Sequence, residues 1–251
     1  MISRQKLKYI KSLQLKKYQK QEQKFLVEGE KSVLELLNSR YKINILLATK
    51  RFLEIYRNKF DTTYIELFEV SEDQLTQSGT LKTNKSAIAV VEIPGPEPIN
   101  TSQISILPAF DYLQDPGNLG TVIRTCDWYG FDKIVLSEDS VDLYNPKVIQ
   151  ASMGSFTRVQ VIYLDLLEFL STSDIPVIGT KMKGENIYTM SWPDRAIILF
   201  GNESKGISDN LDPYLSEVVS IPQYGDAESL NVGIATAVVL DNIRRSGYLN
   251  L

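Results

Sequence analysis

Three short stretches of the chain combine glycine with asparagine and charged side chains in patterns that suit ligand chemistry. The first is Asp115-Pro116-Gly117-Asn118-Leu119-Gly120, with Arg124 one helical turn further on. The second is Gly201-Asn202-Glu203-Ser204-Lys205-Gly206, and the third runs from Ile221-Pro222 to Glu228-Ser229-Leu230-Asn231. Glycine lets main-chain N–H and C=O groups approach a ligand closely, and such groups can hold an adenine and a ribose without any charged side chain. An arginine beside them offers a planar fork that matches phosphate. Neither standard phosphate loop is present. No G-x-G-x-x-G follows a strand, and in the second stretch Ile207 stands where a P-loop needs lysine. A nucleoside triphosphatase or a nicotinamide enzyme is therefore disfavoured.

Taken singly, each residue also has an ordinary role. Asn118 and Ser229 could cap the helices that follow them, Arg124 could be a solvated helix cation, Glu203 an exposed turn carboxylate, and the glycines plain turn residues. The functional case rests on all three stretches occurring together and in order, each beyond a strand-like run, because ligands in α/β sheets gather at the carboxyl ends of strands.

Composition narrows the chemistry. The chain has no histidine, which excludes Ser-His-Asp and Cys-His catalysis and any histidine-held metal. Cys126 is its one cysteine, so no intrachain disulfide forms and a reducing cytoplasm is expected. No apolar run approaches the roughly 18 residues of a membrane span, and the basic N-terminus lacks the apolar core of a signal peptide. The net charge of −4 hides an asymmetry. Residues 1–24 carry Arg4, Lys6, Lys8, Lys11, Lys16, Lys17, Lys20 and Lys24 against Glu22 alone, a net of +7 that leaves −11 on the remainder. A basic end on an acidic body suits a polyanionic partner, although a solvated helix face gives the same pattern.

The elements that must position these groups divide in two. Leu7, Ile10 and Leu13 predict an amphipathic helix, and Phe25-Leu26-Val27 a buried strand leading into Glu28-Gly29-Glu30-Lys31 and a helix with Val33, Leu34 and Leu37 on one face. Strands are expected at Ile43–Ala48 and Ala87–Ile93, with a helix around Phe52–Phe60 and a capping box at Ser71 and Gln74. This is a small α/β domain over residues 1–92. Three prolines within Ile93-Pro94-Gly95-Pro96-Glu97-Pro98 mark a stiff linker, taken as 93–103. From 104 to 251, strands at Ile104–Leu107, Ile134–Leu136, Val159–Tyr163, Pro176–Gly179, Ala196–Phe200 and Val218–Ile221 alternate with helices at 119–129, 166–171 and 229–245. Ser229 is the expected N-cap of the last helix and Gly247 its terminator. The fold class is α/β with a mostly parallel sheet in the second domain.

Asp115 through Thr125, Phe200 through Ile207, and Ile221-Pro222 with Glu228 through Val232 resemble the three successive motifs of the SpoU (TrmH-like) RNA ribose 2′-O-methyltransferases. Asn145-Pro146 and Ala151-Ser152-Met153-Gly154-Ser155 are similar to a family segment between the first two. The likeness spans about residues 106–245, and Phe25 through Lys31 resembles the ribosomal-protein-like RNA-binding domain often found ahead of the catalytic one. The resemblance implies a deep trefoil knot, S-adenosylmethionine as cofactor, structured RNA as substrate (ribosomal more than transfer RNA), and a homodimer in which the arginine of one subunit serves the other's site. It implies Arg124, Asn118, Glu203, Ser229 and Asn231 as catalytic-site residues, Thr180, Gly201, Ile221 and Leu230 as cofactor contacts, and no metal. Gly233 departs from a common serine and Gln150 from a frequent arginine. The competing reading is an RNA-binding or ribosome-assembly protein that keeps the fold without catalysis.

Nothing in the sequence is an obvious base. Arg124 is expected to act electrostatically, on a phosphate and on the developing alkoxide. Asn118 and Asn231 are expected to orient Arg124 or the phosphate, and Glu203 to order its loop or pair with Arg124.

Overall fold

The computed structural model describes residues 2–247 except 60, 62, 97 and 100–103. Phe60, at the end of one expected helix, and residues 97 and 100–103 of the expected linker lie outside the described residues. The chain divides into two compact units, Met1–Gly95 with Leu143–Thr157, and Pro96–Asp142 with Arg158–Leu251.

The first unit opens with α1 (Arg4–Ser12) and α2 (Lys16–Glu22). Ser3 caps α1 by accepting from Lys6 N, and Gln23, at φ 51°, ends α2. Strand β1 (Lys24–Glu28) leads to α3 (Glu30–Leu37), then β2 (Ile43–Ala48), α4 (Lys50–Tyr56), β3 (Glu66–Glu69), α5 (Glu72–Ser78) and β4 (Ala87–Glu92). The sheet order is β1-β4-β2-β3, antiparallel except for the β2–β3 pair. The Ser71–Gln74 capping box forms as expected and starts α5. Two of these elements were not anticipated. β3 escapes notice because its Glu-Leu-Phe-Glu sequence buries neither end, and α2 because it is largely lysine and glutamine. The basic terminus is no free tail: Ile10 and Leu13 are fully buried with Leu26, Leu47 and Ile88 in the core of this unit.

The second unit carries β5 (Ile106–Phe110), α6 (Pro116–Trp128) and β6 (Lys133–Ser137). The chain then contributes α7 (Pro146–Ala151) to the first unit, and returns for β7 (Gln160–Leu164), α8 (Leu166–Thr172), β8 (Val177–Asn186), β9 (Ala196–Phe200), β10 (Glu217–Ser220) and α9 (Val232–Arg245). Six strands form one sheet in the order β10-β8-β9-β5-β6-β7. Every pairing is parallel, so all the carboxyl ends face one edge. Parallel strands are covered on both faces, which is why β5 and β9 are buried at every position and read as continuous apolar runs. Gly247, at φ 83°, follows α9 as anticipated.

The expected second domain ran unbroken from 104 to 251, and the structure differs at Leu143–Thr157. The reason is aromatic packing. The Phe25 ring stands 4.6 Å from Tyr144 and 6.2 Å from Phe156, and Tyr41 stands 5.6 Å from Phe156. Gln19, buried, also donates to the Tyr144 carbonyl at 3.1 Å. Gly154 lies so close to α3 that a Cβ there would meet Glu35 Cγ at 2.6 Å, and its φ of +96° suits glycine. Among the described residues, no helix is long and apolar enough to cross a membrane.

Candidate active site

The first loop follows β5, the second β9 and the third β10, so all three open at the carboxyl edge of the second unit's sheet. Asp115 caps α6, its carboxylate accepting from Asn118 N at 2.8 Å, and Pro116 supplies a helical φ in the first turn. Leu119, Val122, Ile123 and Cys126 bury one face of the helix. This fixes Asn118 at the third helical position, its side chain turned toward the other loops.

There Asn118 joins all three. Its Nδ2 donates to Glu203 Oε1 at 2.5 Å, and its Oδ1 accepts from Asn231 Nδ2 at 2.8 Å. Asn231 Oδ1 accepts in turn from Gly233 N at 3.0 Å, which makes Asn231 the N-cap of α9. The cap expected at Ser229 is thus displaced by two residues, and Ser229 is an exposed loop residue. Asparagine wins because its carbonyl reaches the second amide beyond it while its amide reaches across to α6.

The second loop closes on itself. Asn202 and Gly206 exchange both main-chain hydrogen bonds at 2.9 Å. A Cβ on Gly201 would lie 2.2 Å from the Gly206 carbonyl carbon, so only glycine fits. Asn202 Oδ1 accepts from the amides of Ser204 and Lys205 at 2.9 and 3.1 Å, and its Nδ2 donates to the Tyr112 carbonyl at 2.9 Å. Beyond the loop, Ser208 donates to buried Asp111 through N at 2.8 Å and Oγ at 2.6 Å. Sequence reasoning assigned no role to Asp111, Tyr112 or Asn202. The first two lie just before the recognised motif, and the pairings that reveal the three join positions 90 and 97 residues apart.

Gly201 and Ile221 follow directly on β9 and β10, and Thr180 lies inside the neighbouring β8, level with Phe200 at the end of β9. The Thr180 hydroxyl is used internally, donating to the Leu199 carbonyl at 3.1 Å. β8 and β10 pair at Gly179↔Val218 and then at Glu185↔Val219, so the β8–β10 register skips Thr180–Gly184, while Thr180 stays paired with Phe200 of β9. Leu230 is 45% exposed in the third loop. Main-chain groups at these loop ends suit an adenosine, which can be held without a charged side chain.

Arg124 stands apart from the three-loop tie. It is exposed on α6, and no hydrogen bond or ion pair ties it to another described residue, whether Asn118, Asn231 or Glu203. Six residues along a helix turn it about 120° away from Asn118. It shares a stripe with Thr121 and with Trp128, which is 84% exposed. Thr121 touches α9, its Cγ2 lying 2.9 Å from where a Gly233 Cβ would stand, and the adjacent Ile234 is 54% exposed. Cys126 is buried in α6, and burial pushes its thiol well above the ordinary range, so the chain's thiol is not a nucleophile.

The SpoU rRNA Methylase family matches residues 106–241, and an MRM3-like substrate binding domain matches residues 4–89. The chain is 31% identical over 245 residues to the 23S rRNA (guanosine(2553)-2′-O)-methyltransferase RlmP of Bacillus subtilis, covering 96% of each. It is 26% identical to the 23S rRNA (uridine(2479)-2′-O)-methyltransferase of Streptomyces viridochromogenes, over 88% of this chain and 83% of that one. A TrmH-family protein from Porphyromonas gingivalis superposes with a TM-score of 0.88 at 34% identity, covering 98% of this chain and 99% of that one. An AdoMet-bound rRNA methyltransferase from Sinorhizobium meliloti superposes with a TM-score of 0.86 at 27% identity, covering 98% and 96%. With a family match over more than half its length and a near-full-length relative at 31% identity, the chain belongs to the SpoU rRNA Methylase family.

Proposed function

We propose that this protein transfers the methyl group of S-adenosylmethionine to a ribose 2′-hydroxyl of ribosomal RNA, with 23S rRNA the first candidate. The observation that carries the reading is the tie of Glu203, Asn118 and Asn231, which joins three sequence-distant loops at one edge of the sheet. On this reading Thr180, Gly201, Ile221 and Leu230 hold the cofactor, and residues 1–92 bind the RNA through the exposed lysines of α1 and α2. The same reading closes residues 104–251 into a deep trefoil knot, and the protein works in the cytoplasm.

The bound cofactor supplies an electrophilic sulfonium methyl group. The chain's own task is to align the ribose with it and stabilise the hydroxyl as it loses its proton. Arg124 does this with its planar fork, gripping the phosphate beside the target ribose and lowering the energy of the developing alkoxide. The proton leaves to that phosphate or to water. Glu203 is engaged with Asn118 and orders the second loop, and Asn231 holds the start of α9 against it. Arg124 has no partner among the described residues of its own chain and shares its surface with Trp128 and Ile234, which supports a homodimer in which it completes the partner's site.

Incubating the protein with unmodified 23S rRNA and methyl-labelled S-adenosylmethionine, then mapping 2′-O-methyl groups by mass spectrometry, tests the reading. One labelled ribose is expected. Failure to bind the cofactor in calorimetry, with no label transferred, would leave the non-catalytic RNA-binding reading in its place.

A further inference from the structure

Tyr112 follows β5 with φ 56°, in the left-handed region. A bulky side chain is disfavoured there because its Cβ crowds the following carbonyl, whereas glycine adopts it freely. The backbone is held on both sides. Tyr112 N donates to Ser137 Oγ at 2.8 Å, the next amide, Leu113 N, donates to Ser140 Oγ at 3.1 Å, and the Tyr112 carbonyl accepts from Asn202 Nδ2 at 2.9 Å. None of these bonds uses the phenol ring. Tyr112 is 38% exposed, and Lys205 Nζ lies over its ring, 5.7 Å from the centroid. Lys205 comes from the second loop, two residues after Glu203, and its ammonium forms no ion pair among the described residues. One side chain, Asn202, fixes both the Tyr112 carbonyl and the Lys205 amide, so ring and ammonium are set together beside the three joined loops.

We infer that Tyr112 and Lys205 form a nucleotide platform, the ring stacking on an unpaired base of the RNA next to the methylated ribose and Lys205 taking the flanking phosphate. An exposed ring paired with an unengaged cation is the combination that grips single-stranded nucleic acid, because every base offers a π-face and every linkage a negative charge. The inference rests on the methyltransferase reading above. Strained backbone retained at a functional edge is the second mark of a side chain kept for what it contacts.

The test uses full-length wild type, Tyr112→Gly, Tyr112→Phe and Lys205→Gln, with an unmodified 23S rRNA transcript as probe. Melting temperature, cofactor affinity, KM and kcat for transfer, and RNA affinity against salt are measured. Tyr112→Gly is expected to melt no lower than wild type, since it relieves the left-handed strain, and to bind the cofactor normally. Its KM for RNA should rise about tenfold, the scale of one lost stacking contact. Tyr112→Phe should behave as wild type, and Lys205→Gln should flatten the salt slope by about 0.7–0.9, one phosphate. Unchanged KM and RNA affinity in Tyr112→Gly, or a Tyr112→Phe variant as poor as the glycine one, overturns the platform while leaving the transferase reading intact. Should the wild type transfer no methyl group, that reading falls, and RNA affinity alone still decides for or against the platform.

Discussion

Asn118 Nδ2 donates to Glu203 Oε1 at 2.5 Å across 85 residues of sequence, and this bond holds the first and second loops of the site together. Asn118 accepts from Asn231 at the same time, so its amide is used on both sides. Asn118→Ala should separate the loops, lowering stability by about 1 kcal/mol through the lost hydrogen bonds and weakening both cofactor binding and methyl transfer. Calorimetric titration with S-adenosylmethionine and a melting curve check this together. Normal cofactor affinity would mean that the loops keep their shape without the tie.

Arg124 is exposed and contributes nothing visible to the fold. Arg124→Lys should leave stability within about 0.5 kcal/mol of wild type, yet lose most of the transfer rate, because lysine keeps the charge and loses the fork. Near-normal turnover by this variant would rule out bidentate positioning.

A mixing experiment asks in which subunit the arginine acts. If it serves the partner's site, Arg124→Ala and Asn118→Ala protein, each impaired in transfer, should regain activity when their subunits are exchanged, since one site of the mixed dimer has both groups. Mixtures as inactive as the separate variants would place arginine and loops in the same subunit's site.

Gly233 and Thr121 compete for one space. A Cβ at Gly233 would stand 2.9 Å from Thr121 Cγ2 and 3.2 Å from Asn231 Oδ1. That contact accounts for glycine at a position where the resemblance suggests serine. Glycine to alanine in a helix ordinarily gains up to about 1 kcal/mol. Here Gly233→Ala should instead destabilise, and adding Thr121→Ser, which removes the crowding methyl, should restore the gain. A double-mutant cycle by chemical denaturation measures the coupling.

RNA affinity should fall steeply with salt. Neutralising about four to six phosphates of a single strand gives a log–log slope near −3 to −4. Because Ile10 and Leu13 are core residues, cutting off the terminus would damage the fold. Replacing exposed Lys8, Lys11, Lys16, Lys17 and Lys20 with glutamine is the cleaner test. A slope unchanged in that variant would make these lysines bystanders.

Much of the second unit was legible in its sequence, because strands buried on both faces are written as unbroken apolar runs; Ala196–Phe200 was read to the residue. The motif residues were legible as a set, but their division of labour was not. Ser229 looked like a cap by type and spacing, and only the reach of the Asn231 amide to Asn118 explains why the helix begins two residues later. Asn118 was read as orienting either Arg124 or the phosphate, and the 100° step of the helix, which carries Arg124 to another face, was not weighed. Tyr112 gave no signal, since a left-handed residue that is not glycine cannot be recognised by type. The association of Leu143–Thr157 with the first unit was equally hidden, because its aromatic partners lie more than 100 residues away.

That last feature bears on the order in which the protein matures during synthesis. When residue 95 leaves the ribosome, Phe25 and Tyr41 still lack Tyr144 and Phe156, the rings that cover them in the finished fold. At about 5–20 residues per second the missing segment follows roughly 3–12 s later. During that interval the nascent N-terminal part exposes an aromatic surface, so its completion is timed by translation of the catalytic half.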